Sequence, residues 1–167
     1  MRDSIPELNH VSREEFVRWV GPVFEHSPWI ATMAADKRPF ANLDALHRQL
    51  CQIVREAPEA KQLGLIQAHP DLGQRGVLTA ESTREQASAG LDNLLPEQQS
   101  ALQSQNRAYR EKFGFPFVIC ARLNSKDSIV DTLTRRLLHS REQEIQTALE
   151  EIFKIAQLRL GDLCQPD

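Results

Sequence analysis

The sequence predicts an all-α protein, a single-domain bundle of about seven to eight helices with one short extended segment near 115–122. Three observations carry this. Apolar residues recur at helical spacing through most of the chain, capping residues precede those runs, and a single aromatic and β-branched stretch breaks the pattern. At 167 residues and 41% hydrophobic content the chain can build one domain with a sizeable core and is too short for two large ones.

In chain order, VSREEFVRWV begins with Ser12 and Glu15 at capping-box spacing, where each side chain satisfies the other residue's free amide, and then turns apolar. ANLDALHRQLCQIVREA places Leu43, Leu46, Leu50, Ile53 and Val54 on one helical face, with Asn42 as cap. A further helix spans about Pro58 to Ala68, and a short one runs through STREQASAGL. The long polar segment PEQQSALQSQNRAYREKFG is opened by Pro96 and closed by Gly114. DSIVDTLTRRLLHS follows, then SREQEIQTALEEIFKIAQLRLGDL, with Ser140 and Gln143 as a second capping box. FPFVICARL, Phe115 to Leu123, reads as a strand with no second strand to pair with. Its backbone groups must find other partners, either side chains and turns or a polar ligand.

Composition excludes several function classes. The net charge is −3, with no basic block and no aromatic-interleaved basic stripe, which argues against nucleic acid. No apolar run approaches the roughly 20 residues that span a bilayer, and the start of the chain lacks the apolar core of a signal peptide. Three scattered cysteines, Cys51, Cys120 and Cys164, fit neither a disulfide framework nor a zinc site and suit a reducing cytoplasm. Phosphate-cradling glycine loops and the G-x-S-x-G elbow are absent.

Three features could carry chemistry. His69 ends an apolar stretch in LIQAHPDLGQRG, and Pro70 disfavours helical geometry at the residue before it. Helix termination explains the joint; so does an imidazole placed to move protons near neutral pH. In the last helix, Ile145, Leu149, Ile152, Ala156 and Leu163 form an apolar stripe at about 100° per residue, and Arg159 falls within it. Such an arginine points inward and requires an anionic partner or several hydrogen bonds, from either a structural carboxylate or a carboxylate or amide-rich substrate. Ser82 and Glu85 stand at capping-box spacing, which helix initiation alone explains; alternatively Glu85 orients His69 as the third group of a base. His10, His26, His47 and His139 are scattered without metal-ligand spacing, so no metal is expected.

Taken in order, AHPDLG, ESTREQASAGL, KFGFPFVICAR and EIFKIAQLRL resemble 2-oxo-4-hydroxy-4-carboxy-5-ureidoimidazoline (OHCU) decarboxylase, from about Ser12 to Leu163. What the resemblance implies is an all-helical enzyme without metal or organic cofactor, often a dimer, that forms S-allantoin from OHCU in urate degradation. By the same resemblance His69, Glu85 and Arg159 are catalytic, while Pro70, Ser82, Gln86 and the segment Phe117, Val118, Ile119, Cys120, Ala121 contact the substrate. The interval between His69 and Ser82 is shorter here than in some members. Two rivals stand beside this reading: a helical adaptor that binds a partner through Pro96 to Gly114, and a related helical enzyme acting on another ureido or imidazoline acid.

Overall fold

A computed structural model describes residues 4–73 and 78–164. Among them are nine α-helices and no strand: α1 (Ile5–His10), α2 (Arg13–Val20), α3 (Trp29–Ala35), α4 (Leu43–Glu56), α5 (Glu59–Gln67), α6 (Ala80–Ser88), α7 (Pro96–Phe113), α8 (Lys126–Arg136) and α9 (Arg141–Leu163). The two that periodicity does not bring out, α1 and α3, are six and seven residues long, too short to show a full apolar repeat.

Local chemistry sets the helix ends. Ser12 and Glu15 form the expected capping box of α2, Asn42 Oδ1 accepts from the Ala45 amide at 2.8 Å, and Ser140 and Gln143 exchange bonds of 2.9 and 3.2 Å. Gly114 ends α7 with φ +82°, the left-handed geometry that relieves the last carbonyls and suits glycine best.

The chain divides into two compact units. One comprises the residues through Ala68 together with those from Phe153 onward. Here α2 and α4 both pack against α3, and Phe16, Val20, Ile30, Leu46, Leu50, Val54, Ile66, Ala156 and Leu160 are fully buried. The amphipathic repeat of α4 explains its part, since Leu46, Leu50, Ile53 and Val54 lie on its buried face.

The other unit runs from His69 to Ile152. Tyr109 and Phe113 of α7, their ring centroids 4.5 Å apart, pack against Phe115 and Phe117 at 5.3 to 6.0 Å. The segment that reads as a strand forms none. It runs without helix or ladder through Cys120 and closes in a 3₁₀ turn at Ala121–Leu123. A strand requires a ladder partner; lacking one, this segment bonds through side chains instead. The Val118 carbonyl accepts from Arg136 Nη1 at 2.7 Å, the Cys120 amide donates to Glu151 Oε1 at 3.2 Å, and the Cys120 carbonyl accepts from Asn124 Nδ2 at 2.9 Å.

Candidate active site

His69 follows α5 directly, and the Ala68 amide makes the last helical bond, to the Gly64 carbonyl at 3.0 Å. The imidazole is 8% exposed, so the histidine at this joint is a buried group. Beyond Pro70 the chain turns through Asp71, Leu72 and Gly73. Gly73 has φ +72°, and a Cβ there would stand 2.8 Å from Leu102 Cδ2, so both backbone and packing call for glycine. Residues 74–77, inside the short interval between His69 and Ser82, lie outside the described residues.

The capping expectation for Ser82 and Glu85 is corrected. Thr79 caps α6: its hydroxyl accepts from the Ser82 amide at 3.1 Å, and the helix begins three residues before the spacing of Ser82 and Glu85 predicts. The extra turn forms because Thr79 is extended, with φ −63° and ψ 155°, and offers its own oxygen first. Ser82 and Glu85 thus lie inside the helix. With Gln86 they share one helical face, on which Ser82 and Gln86 are buried and Glu85 is half-buried. Gln86 points back toward the chain before its helix, and its Oε1 accepts from the Gly73 amide at 3.0 Å.

α6 packs against the 3₁₀ turn at Ala121–Leu123, which brings this face to the end of the extended segment. The Cys120 thiol registers the neighbourhood. Burial pushes its pKa up from the ordinary 9.0, and the negative charges of Glu151 and then Glu85 push it further. Cys120 therefore keeps its proton near neutral pH. Phe117, Val118, Ile119, Cys120 and Ala121 are all buried.

A polar network anchors the same segment from its other side. Arg136 donates Nη1 to the Val118 carbonyl and Nε to Glu144 Oε1 at 2.8 Å, and its guanidinium lies 4.4 Å from the centre of the Phe117 ring. Tyr109 donates its hydroxyl to Glu144 Oε1 at 2.5 Å, and His139 Nδ1 lies 2.9 Å from Glu144 Oε2. Burial, followed by the hydrogen bond to Glu144, pushes the Tyr109 phenol far above its usual range. Periodicity overlooks Glu144 and Glu151 as inward groups. The available signal was their spacing: projected with Arg159 they fall on one face of α9, a row of ionisable residues beside the apolar stripe.

Arg159 belongs to the first unit. It is 6% exposed, as its place in the stripe requires, and its anionic partner is Glu25, Nη2 to Oε1 at 2.7 Å. Nη1 also donates to the Pro22 carbonyl at 3.1 Å. Among the described residues no group of three or more His, Cys, Asp or Glu is placed to hold a metal ion, and no helix is long and apolar enough to cross a membrane.

Fold and site together define a class: a helical protein in which a buried histidine sits in a turn bonded to a helix that carries serine, glutamate and glutamine on one face. The OHCU decarboxylase family model matches residues 9–161, and the chain belongs to that family. A 2-oxo-4-hydroxy-4-carboxy-5-ureidoimidazoline decarboxylase from Halalkalicoccus jeotgali is 45% identical over 165 residues, covering 99% of this chain and 94% of the relative. The protein of the same name from Amia calva is 44% identical over 163 residues, with 95% and 93% covered. Among solved structures, an (S)-allantoin synthase superposes with a TM-score of 0.79 at 27% identity; the match covers 96% of this chain and 54% of that one.

Proposed function

We propose that this protein decarboxylates OHCU to S-allantoin, the last step of the route from urate to S-allantoin. The observation that carries the reading is the family match across residues 9–161, which includes His69, Ser82, Glu85, Gln86 and Arg159. The match spans both compact units, which supports treating the whole chain as a single decarboxylase domain.

The substrate bears its carboxylate on a carbon that also carries a hydroxyl, next to a ring C=N. When the bond to the carboxylate breaks, carbon dioxide leaves and the electron pair moves into that C=N, so the molecule supplies its own electron sink. That step leaves a ring C=C bearing the hydroxyl, and the ring nitrogen that received the pair takes up a proton; His69, oriented by Glu85, then takes the hydroxyl proton as that carbon becomes a carbonyl. The neighbouring carbon, which bears the ureido group, then takes a proton on one face, and a single enantiomer results. Ser82, Gln86 and the chain from Phe117 to Ala121, with Pro70 beside them, fix the ring and ureido amides. Arg159 is assigned by the resemblance alone to the substrate's anionic or carbonyl oxygen, where it stabilises the charge of the enol-like intermediate. The burial of Ser82, Gln86 and His69 supports the reading, because water-excluded polar groups interact more strongly with developing charge. The same resemblance extends the proposal to a homodimer in the cytoplasm, and sedimentation of the purified protein tests the assembly.

Purified protein added to freshly generated OHCU is expected to release carbon dioxide and to build the circular dichroism of S-allantoin faster than spontaneous racemic decay. Absence of both effects overturns the assignment. His69→Ala is expected to lose most of the turnover, about 100-fold or more, with helicity unchanged. Near-normal turnover in that variant removes His69 from the chemistry. A surface-exposed Arg159 would favour the adaptor reading, and Arg159 is buried.

A further inference from the structure

The turn after His69 is held by side chains rather than by a backbone ladder. Asn106 of α7 donates Nδ2 to the Leu72 carbonyl at 3.0 Å, and Gln99 of α7 donates Nε2 to the Gly73 carbonyl at 2.7 Å. Gln86 accepts the Gly73 amide, and Arg110 Nη2 holds Asp71 Oδ1 at 2.9 Å. Each of the three residues after Pro70 is therefore tied to α6 or α7.

Packing and hydrogen bonds share the work of holding this turn: Leu72 and Gly73 are buried, and Gly73 lies against Leu102 of α7. On the α7 side the turn also borders a cleft of about 320 Å³ lined by Asp71, Leu72, Gln103, Asn106, Arg107 and Arg110. Asp71, half-buried at that cleft, is held by its ion pair with Arg110. Asn106 is 4% exposed, and its Oδ1 is buried without a partner among the described residues. A leucine of similar branched shape would remove that unsatisfied acceptor but leave the buried Leu72 carbonyl without its donor. The donor to Leu72 is what asparagine adds.

We infer that Asn106 and Gln99 are positioning residues for His69. They fasten the turn within four residues of the imidazole, so that the ring meets the substrate in one orientation. The inference rests on the reading of His69 as the proton-moving group. Proton transfer tolerates little displacement, and a misplacement of about 1 Å lowers a rate by about 100-fold.

The test uses Gln99→Ala and Asn106→Leu in the full chain. Both are expected to lower kcat by about 10- to 100-fold while KM stays within about twofold, with far-ultraviolet circular dichroism close to the parent and Tm lowered only by the cost of one lost hydrogen bond each. Added to His69→Ala, either substitution is expected to cost less than about a further twofold, because residues that act through one group are not additive. Parent-level kcat in both variants overturns the inference, as does an equal loss in both backgrounds. The carbon-bound proton signal of the His69 ring, read by NMR, separates this inference from the catalytic reading. If His69→Ala keeps its turnover, the catalytic reading falls; a His69 signal that shifts in Gln99→Ala still supports the positioning role, and an unmoved one overturns it. Gln99 is half-exposed, so it decides the matter should Asn106→Leu fail to fold.

Discussion

Arg159 and Glu25 show what burial demands of a charge. The guanidinium is 6% exposed and the carboxylate 1%, so removing either charge takes from the other a close, desolvated counter-ion. Glu25→Ala is expected to destabilise the protein by about 3–5 kcal/mol in urea unfolding, because it leaves a buried cation with its carboxylate gone. Glu25→Leu combined with Arg159→Met is expected to recover most of that loss, since two apolar side chains need no desolvation of charge. A double variant no more stable than Glu25→Ala would show that the pair is not what the region depends on. The same double variant is expected to lack turnover, as the assignment of Arg159 to substrate oxygen requires.

At the scale of the element, α6 carries three of the proposed site residues, and its start is set by a single hydroxyl. Thr79 accepts the Ser82 amide, so Thr79→Ala removes the bond that begins the helix. The expected loss is about 1 kcal/mol, within the usual range for an N-cap. Hydrogen exchange reads it directly: protection of the Ser82 amide should fall first, and unchanged protection there would contradict the capping role. α7 plays a second part beside its aromatic packing. Its buried face carries Leu102, Asn106, Tyr109 and Phe113, and two of those four are polar groups with assigned partners, Leu72 for Asn106 and Glu144 for Tyr109. A polar helix opened by proline and closed by glycine is thus a scaffold for backbone that has no ladder.

For the molecule as a whole, two buried acids set the alkaline limit. The Tyr109 phenol and the Cys120 thiol both hold their protons more tightly when folded than their ordinary values of 10.0 and 9.0, chiefly because burial disfavours the charged forms. As pH rises past those values the unfolded chain releases protons that the folded chain keeps. The unfolded state then binds fewer protons, and unfolding free energy falls with pH. Stability from these groups is therefore full below about pH 9 and declines above it, by up to about 1.4 kcal/mol per pH unit for each group. Urea midpoints measured from pH 8 to pH 11 should show the decline, and Tyr109→Phe should flatten it above pH 10. A Tyr109→Phe slope equal to the parent's would remove the phenol from the cause.

Apart from α1, α3 and the start of α6, the helices and their ends were legible in the sequence, because helical period and capping depend on residues within one or two turns of each other. That is why Ser12, Asn42, Ser140 and Gly114 could be placed, and why Arg159 could be turned inward from the stripe of α9 alone. The family was legible in four short motifs, and the proposed site residues follow from that resemblance. Tertiary structure alone decided the partners. Glu25 lies 134 residues from Arg159, Asn106 lies 34 from Leu72, and Glu151 lies 31 from Cys120, and no local pattern names a contact at such separations. It also decided the state of Phe115 to Leu123. Strand propensity describes how side chains suit a pleated surface, but a strand exists only where a neighbour offers a ladder; here arginine, glutamate and asparagine side chains took the backbone groups instead.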